Sequence, residues 1–118
     1  MNYKIDIEST DGIVLLRPKD EDLGPEQAEA LKEVVRTVSG RKPRLVVINF
    51  SLVEYMSSVF LSALVEIYKD LHAAGIKFAF AELNHKNLEI IKTTKLDSVF
   101  PPFSSVHDAC ASIRGDKC

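Results

Sequence analysis

Apolar and polar side chains alternate at the start of the chain, over residues 3–8. A two-residue period is typical of a strand with one buried face, so we predict a strand there, with Ile5 and Ile7 facing the core. An Asp-Gly pair then tolerates the positive φ angles of a tight turn, and an apolar run over residues 13–16 follows it. These features predict an N-terminal antiparallel hairpin.

The spacing of apolar residues becomes helical after a polar, acidic loop over residues 17–23. Pro25 suits the first turn of a helix because its missing N–H is not needed there, and Gly40 suits a left-handed helix stop. Between them, the apolar residues that predict one buried helix face are Ala28, Leu31, Val34, Val35 and Val38.

The middle of the chain has the pattern of a strand, a long helix and a second strand. Residues 45–48 are all apolar and mostly β-branched, which is typical of a parallel strand covered on both faces at the centre of a sheet. An amphipathic stretch from about Ser58 to Ala74, ending at Gly75, predicts the longest helix, and residues 77–81 predict the next strand. Together they predict a β-α-β unit with a right-handed crossover.

The last third of the chain predicts two shorter helices. Asn84 can cap a helix over about residues 85–94. Two consecutive prolines then break the chain, and a helix over about residues 106–113 carries Cys110 on its apolar face. The whole pattern predicts an α/β fold: a mixed β-sheet with an N-terminal antiparallel hairpin and about four helices.

Composition limits the class of protein. A length of 118 residues suits one domain, and a hydrophobic content of 46% excludes disorder along the whole chain. We expect a single domain over residues 1–114 and a flexible tail over residues 115–118. A net charge of −2 offers no basic surface for nucleic acid, and no apolar run approaches the ~20 residues that span a bilayer. With no signal-peptide core and only two cysteines, we expect a cytoplasmic protein.

The signatures of common enzymes are missing from the sequence, which has no glycine-rich nucleotide loop, no His-Glu-x-x-His and no Gly-x-Ser-x-Gly. The acidic run Asp20-Glu21-Asp22 permits a magnesium site, but three consecutive side chains diverge, so we favour a solvated loop. His107 and Cys110 are three residues apart, which fits helix packing better than a zinc site with three or four ligands. We predict no catalytic residue, no metal and no cofactor.

Two adjacent serines mark the junction before the long helix. Ser57 is placed to cap the helix through its hydroxyl, which makes Ser58 the first helical residue. Free N–H groups and the positive end of the helix dipole would stabilise a phosphate on Ser58. Ser62, Glu66 and Lys69 continue a polar stripe along the helix, so a protein bound there would sense the added charge. Alternatively, the serines only cap the helix and the stripe only faces solvent.

The order of elements resembles the STAS domain of bacterial anti-sigma factor antagonists over nearly the whole chain. Residues 45–64, which include the run Tyr-Met-Ser-Ser-Val-Phe-Leu, are similar to the family's apolar strand, short loop and Asp-Ser-Ser/Thr-Gly-Leu helix start. Residues 88–100 are similar to the family's next helix, turn and return to the sheet.

The resemblance implies a non-enzymatic regulatory protein. Unphosphorylated family members bind an anti-sigma factor serine kinase, which releases the sigma factor, and phosphorylation of one serine ends this binding. That serine falls on Ser58, the family aspartate on Ser57 and the family glycine on Phe60, so Val59 and Phe60 add bulk beside the acceptor. Gly24 falls where the family often carries an aspartate, which adds it to the implied partner-binding residues.

A second hypothesis fits the exchanged residues at the family's aspartate and glycine positions. In it, the chain is a constitutive STAS subunit of a transporter ATPase or a sensory complex and is not phosphorylated. Ser57 and Ser58 would then serve only in capping or contact, and copurification would recover a transporter or scaffold protein without a kinase. Both hypotheses leave the oligomeric state open.

Overall fold

A computed structural model describes residues 4–98 and 102–114 of the chain, which contain seven strands and four helices. In chain order they are β1 (Ile5–Thr10), β2 (Ile13–Pro18), β3 (Asp22–Leu23), α1 (Pro25–Ser39), β4 (Leu45–Asn49), β5 (Tyr55–Met56), α2 (Ser58–Ala73), β6 (Lys77–Ala81), α3 (His85–Thr93), β7 (Pro102–Phe103) and α4 (Val106–Arg114). A short 3₁₀ turn, Leu96–Ser98, follows α3.

Five strands form the main sheet in the order β1-β2-β4-β6-β7. β1 pairs antiparallel with β2, whereas β2, β4, β6 and β7 run parallel to one another. β4 lies at the centre and its residues 45–48 are buried. The mixed sheet, the N-terminal hairpin, the central parallel strand and the four helices predicted from the sequence are therefore confirmed.

The two faces of the sheet explain why β4 is apolar throughout. Val46 and Ile48 pack on the side of α1 and α2, whereas Leu45 and Val47 pack on the side of α4. Because successive strand residues point to opposite faces, a strand covered on both sides needs apolar residues at every position. Cys110 of α4 is buried in the second of these clusters, so the prediction of a core cysteine is confirmed.

The first strand of the N-terminal hairpin differs in extent from the prediction. Its turn has positive φ angles at Asp11 and Gly12. This two-residue turn brings Thr10 opposite Ile13, so β1 ends at Thr10 rather than at residue 8. The residue before Lys4 lies outside the described residues. The prediction that Ile7 faces the core is wrong: the residue is 45% exposed because β1 is the outermost strand of the sheet.

Helix α1 buries all five apolar residues predicted for its inner face. Its end differs from the prediction, because Gly40 has a right-handed φ of −63°. The amides of Arg41 and Lys42 donate to the carbonyls of Val38 and Ser39, so helical turning continues through Gly40. The left-handed residue is Lys42, with φ of 51°.

The predicted loop over residues 17–23 contains two strand segments. Its first two residues extend β2, and its last two, Asp22 and Leu23, form a parallel ladder with Tyr55 and Met56. We call this pairing the β3–β5 ladder. Leu23 and Met56 point inward and are buried, whereas Asp22 and Tyr55 are exposed side by side on its outer face. Two-residue strands are too short for a hydrophobic period, so the sequence pattern missed them.

The C-terminal third agrees with the prediction for α3 and α4 and adds β7, which pairs with β6 through two residue pairs. The first of the two consecutive prolines and the predicted flexible tail, residues 115–118, lie outside the described residues. No helix within the described ranges is both long and apolar enough to cross a bilayer.

Candidate functional site

Ser57 is the N-cap of α2. Its backbone is extended, with φ of −77° and ψ of 166°, and its Oγ accepts the amide N–H of Phe60 at 3.2 Å. Its own N–H donates to the carbonyl of Leu23 at 2.9 Å. Ser57 therefore caps the helix with its side chain and joins the helix start to β3 with its backbone.

Ser58 is the first residue of α2 and is exposed. The first turn of α2 carries no acidic side chain. A helix N-terminus presents partly positive N–H groups, so the electrostatic surroundings of Ser58 favour an added negative charge.

The two bulky residues after Ser58 occupy different environments. Val59 is exposed at the surface, whereas Phe60 is buried in the core beneath α2. The expectation that Phe60 adds bulk beside the acceptor is therefore wrong, because the third residue of the helix points toward the sheet. Only Val59 adds an apolar group at the surface next to Ser58.

The structure brings Ser62, Glu66 and Lys69 together on the exposed face of α2 that begins with Ser58. Glu66 Oε2 also lies 3.2 Å from Nζ of Lys32 on α1, and the hydrogen bond to Glu66 is the main cause of a raised pKa at Lys32. Glu66 is thus engaged within the molecule. Contact of this stripe with another protein stays a prediction.

Gly24 is the N-cap residue of α1 and follows Leu23, whose carbonyl accepts the N–H of Ser57. Having no side chain to cap with, Gly24 instead donates its N–H to Oε1 of Gln27 at 2.9 Å. The predicted site residues Gly24 and Ser57 therefore lie on adjoining chain segments, although their spacing in sequence is 33 residues.

The acidic run before Gly24 diverges. Asp20 is half-buried, pairs with Lys4 at 3.6 Å and accepts from Gln27, whereas Asp22 is exposed in β3. Between them, the carbonyl of Glu21 accepts the backbone N–H groups of Glu54 and of Tyr55, the first residue of β5. Among the residues that the structure describes, no group of three or more His, Cys, Asp or Glu side chains is arranged to hold a metal ion.

Comparison with known proteins identifies the family to which this fold belongs. Residues 4–109 match the sequence profile of the STAS domain. The chain belongs to the STAS domain family. It is 31% identical over 90 residues to the anti-sigma-F factor antagonist RsfB of Mycobacterium tuberculosis, covering 76% of this chain and 73% of RsfB.

Two solved structures of anti-sigma factor antagonists have the same fold. An anti-sigma factor antagonist from Mycobacterium paratuberculosis superposes with a TM-score of 0.82 at 26% identity, covering 93% of this chain and 92% of that one. The anti-sigma factor antagonist SpoIIAA, solved unphosphorylated and, from Bacillus, phosphorylated, superposes in its unphosphorylated form with a TM-score of 0.79. SpoIIAA is 15% identical, with 94% of this chain and 96% of that chain covered.

Two asparagines at the start of α3 hold the loop that leads to Ser57 and Ser58. Asn84 caps α3, as the sequence predicted, and its Nδ2 also donates to the carbonyls of Val53 and Glu54, both at 3.2 Å. Asn87 is fully buried, with Nδ2 3.4 Å from the carbonyl of Val53. We missed Asn87 in the sequence; the signal was a polar residue four positions before Ile91, on the same helix face.

Proposed function

We propose that the protein is a cytoplasmic, non-enzymatic anti-sigma factor antagonist that binds an anti-sigma factor serine kinase, and that phosphorylation of Ser58 ends this binding. The observation that supports the proposal is the position of Ser58, exposed as the first residue of α2 in a chain 31% identical to an anti-sigma-F factor antagonist.

The exchange of the family aspartate for Ser57 is compatible with this role. Ser57 keeps the capping hydrogen bond to Phe60, so the helix start keeps its geometry. Because Ser57 is neutral, a phosphate on Ser58 meets no adjacent carboxylate in the first turn. The free N–H groups of that turn favour the modified form within the molecule.

Phosphorylation would act on binding through charge. A phosphoserine adds about −1.5 to −2 charges at neutral pH. In an interface that accommodates a neutral hydroxyl, this charge adds a desolvation cost and repulsion. A cost of ~3 kcal/mol weakens binding more than a hundredfold. Ser58 would then be a switch for association without contributing to the fold.

The test compares substitutions of the two serines. The anti-sigma factor kinases of the same organism are purified and incubated with labelled ATP and the wild type, Ser58→Ala or Ser57→Ala. We expect Ser58→Ala to fold normally, bind the kinase and take up no phosphate, and Ser57→Ala to remain a substrate with reduced stability. Labelling that persists in Ser58→Ala, or a wild type that binds none of the kinases, would contradict the proposal.

The constitutive STAS subunit is the second candidate, favoured by the neutral Ser57 in place of the family aspartate. Under this function the chain copurifies with a transporter or a sensory scaffold, and mass spectrometry finds Ser58 unmodified. The Ser58→Asp variant separates the two candidates, because only the switch requires it to lose its partner.

A further inference from the structure

A cavity of about 500 Å³ opens at the end of α2 that is farther from Ser58. It is lined by residues of the two helices that pack on opposite faces of β6, namely Tyr68 and His72 of α2 and Ser112 of α4. His72 follows Ser58 by fourteen residues, which is about 21 Å along the helix axis. The cavity is therefore separate from the two serines, and its size is within the range of about 300–1,000 Å³ that is typical of small-molecule sites.

The floor of the cavity is apolar and belongs to the sheet. It consists of four side chains that are each at most 6% exposed: Leu45, Ile76, Phe78 and Ala79. Leu45 lies in β4, and the other three lie in β6 or directly before it, where the two strands pair in parallel. A floor held by paired strands exists before a ligand binds, which lowers the entropy lost on binding.

The walls of the cavity are aromatic. The rings of Tyr68 and His72 are stacked, with centroids 5.4 Å apart and planes at 22° to each other. Phe103 of β7 also lines the cavity, and both Phe103 and Tyr68 are half-buried. Aromatic rings pack well in stacked or edge contacts with another ring. The walls therefore favour a ligand with an aromatic body.

The mouth of the cavity carries a positive charge. Lys77 is exposed there and forms no ion pair among the residues that the structure describes. None of the described lining residues is acidic, although the whole chain has a net charge of −2. An ammonium group beside an apolar cavity attracts a ligand whose apolar part is buried and whose negative charge stays at the surface.

We propose that this cavity binds a small monocarboxylate with an aromatic body. The ring of the ligand lies on the apolar floor between the Tyr68–His72 pair and Phe103, and its carboxylate accepts from Nζ of Lys77 at the mouth. The site goes beyond the proposed function and does not depend on it, because neither Ser58 nor a kinase takes part in binding. It gives the domain a second, small-molecule activity at the opposite end of α2.

Binding is tested by NMR titration of the isotope-labelled chain with indole-3-acetate and with 2-naphthoate. We expect saturable shifts of the amide signals of Tyr68, Lys77 and Phe103 with a Kd of about 1 mM or tighter, and an unshifted signal of Ser58. Indole-3-acetamide, which has the same ring without the charge, should bind about threefold or more weakly than indole-3-acetate. The absence of saturable shifts with both carboxylates, or shifts only at other residues, overturns the site.

Two pairs of variants test the charge and the cavity separately, and all four change exposed side chains, so the fold is retained. Lys77→Gln should weaken indole-3-acetate about threefold or more, whereas Lys92→Gln on α3 should bind as the wild type does. Ser112→Phe should fill the cavity from its rim and abolish binding, whereas Ser62→Phe, the same exchange elsewhere on a helix, should not. Lys77→Gln binding like Lys92→Gln overturns the role of the charge, and Ser112→Phe binding like Ser62→Phe overturns the cavity.

Discussion

Helices α2 and α3 both begin with a polar side chain that accepts a backbone N–H three residues ahead. Ser57 Oγ accepts from Phe60 at 3.2 Å, and Asn84 Oδ1 accepts from Asn87 at 2.8 Å. Among the described residues, the hydroxyl of Ser57 donates to no neighbouring segment, whereas the amide of Asn84 also donates to two carbonyls of the loop before β5. The capping side chain thus serves one helix at α2, whereas at α3 it also joins the helix to a second segment.

Because of this difference, substitutions at the two helix starts should remove different numbers of hydrogen bonds. A change at Ser57 removes one capping bond, but a change at Asn84 or Asn87 also releases the segment that carries Leu52 and Tyr55. We expect the stability of the loop to depend on α3 more than on α2, although the serines lie on α2.

The largest expected effect is that of Asn87→Asp. Asn87 is fully buried, and its Oδ1 has no donor partner among the described residues, so a carboxylate there would be an uncompensated buried charge. We expect a loss of about 3 kcal/mol or more at neutral pH, measured by urea denaturation. Burial raises the pKa of the introduced carboxyl, so stability should recover as the pH falls. Asn87→Leu is the control, because it removes the same side-chain hydrogen bond to Val53 without introducing a charge; an equal, pH-independent loss there would contradict the explanation.

The second-largest loss of stability is expected for Asn84→Ala. It removes the cap of α3, worth about 1 kcal/mol, and two hydrogen bonds to the loop, each worth about 1 kcal/mol, so we expect a loss of about 2–3 kcal/mol. Asn84→Ser should recover only the capping part. Hydrogen exchange at Glu54 and Tyr55 should be faster in both variants, and unchanged protection there would show that α3 does not hold the loop.

Ser57→Ala is expected to cost about 1 kcal/mol, because only the capping bond to Phe60 is lost. Ser58→Ala should change stability by less than about 0.5 kcal/mol, since the side chain is exposed. Thermal denaturation of the two variants side by side measures both. A larger loss for Ser58→Ala than for Ser57→Ala would reverse the assignment of the cap.

The smallest effect is expected far from both helix starts, on the β1–β2 hairpin. The hydrogen bond from Arg17, at 2.8 Å, lowers the pKa of Asp6 below its ordinary value of 3.8. A lowered folded-state pKa stabilises the protein above the ordinary value and loses that contribution as the pH falls through the folded value. Asp6→Asn should therefore be slightly less stable than the wild type at neutral pH and equal to it in strong acid. A pH-independent difference would rule out this cause.

The sequence predicted an element best where its pattern of apolar residues repeats over many positions. The five inward residues of α1 and the unbroken apolar run of β4 each repeat a pattern over enough positions to identify the element and its buried side. Ser57 and Asn84 were identifiable as caps because the chemistry of a helix start is local, within three residues of the cap.

Sequence reasoning failed where the deciding contact is distant along the chain. The β3–β5 ladder joins Asp22 to Tyr55, 33 residues apart, through backbone atoms that carry no sequence signal. The second role of Asn84 and the burial of Asn87 depend on a loop about 30 residues earlier. At Gly40, glycine was compatible with a left-handed turn, but local hydrogen bonding moved that turn to Lys42.

The capping bond of α2 has a consequence for how the protein tolerates covalent change. Because the hydroxyl that completes the helix belongs to Ser57, the oxygen of Ser58 is structurally dispensable. Under the proposed function, two neighbouring serines would divide their tasks: Ser57 maintains the scaffold, and Ser58 is modified and restored without a change in the architecture beneath it.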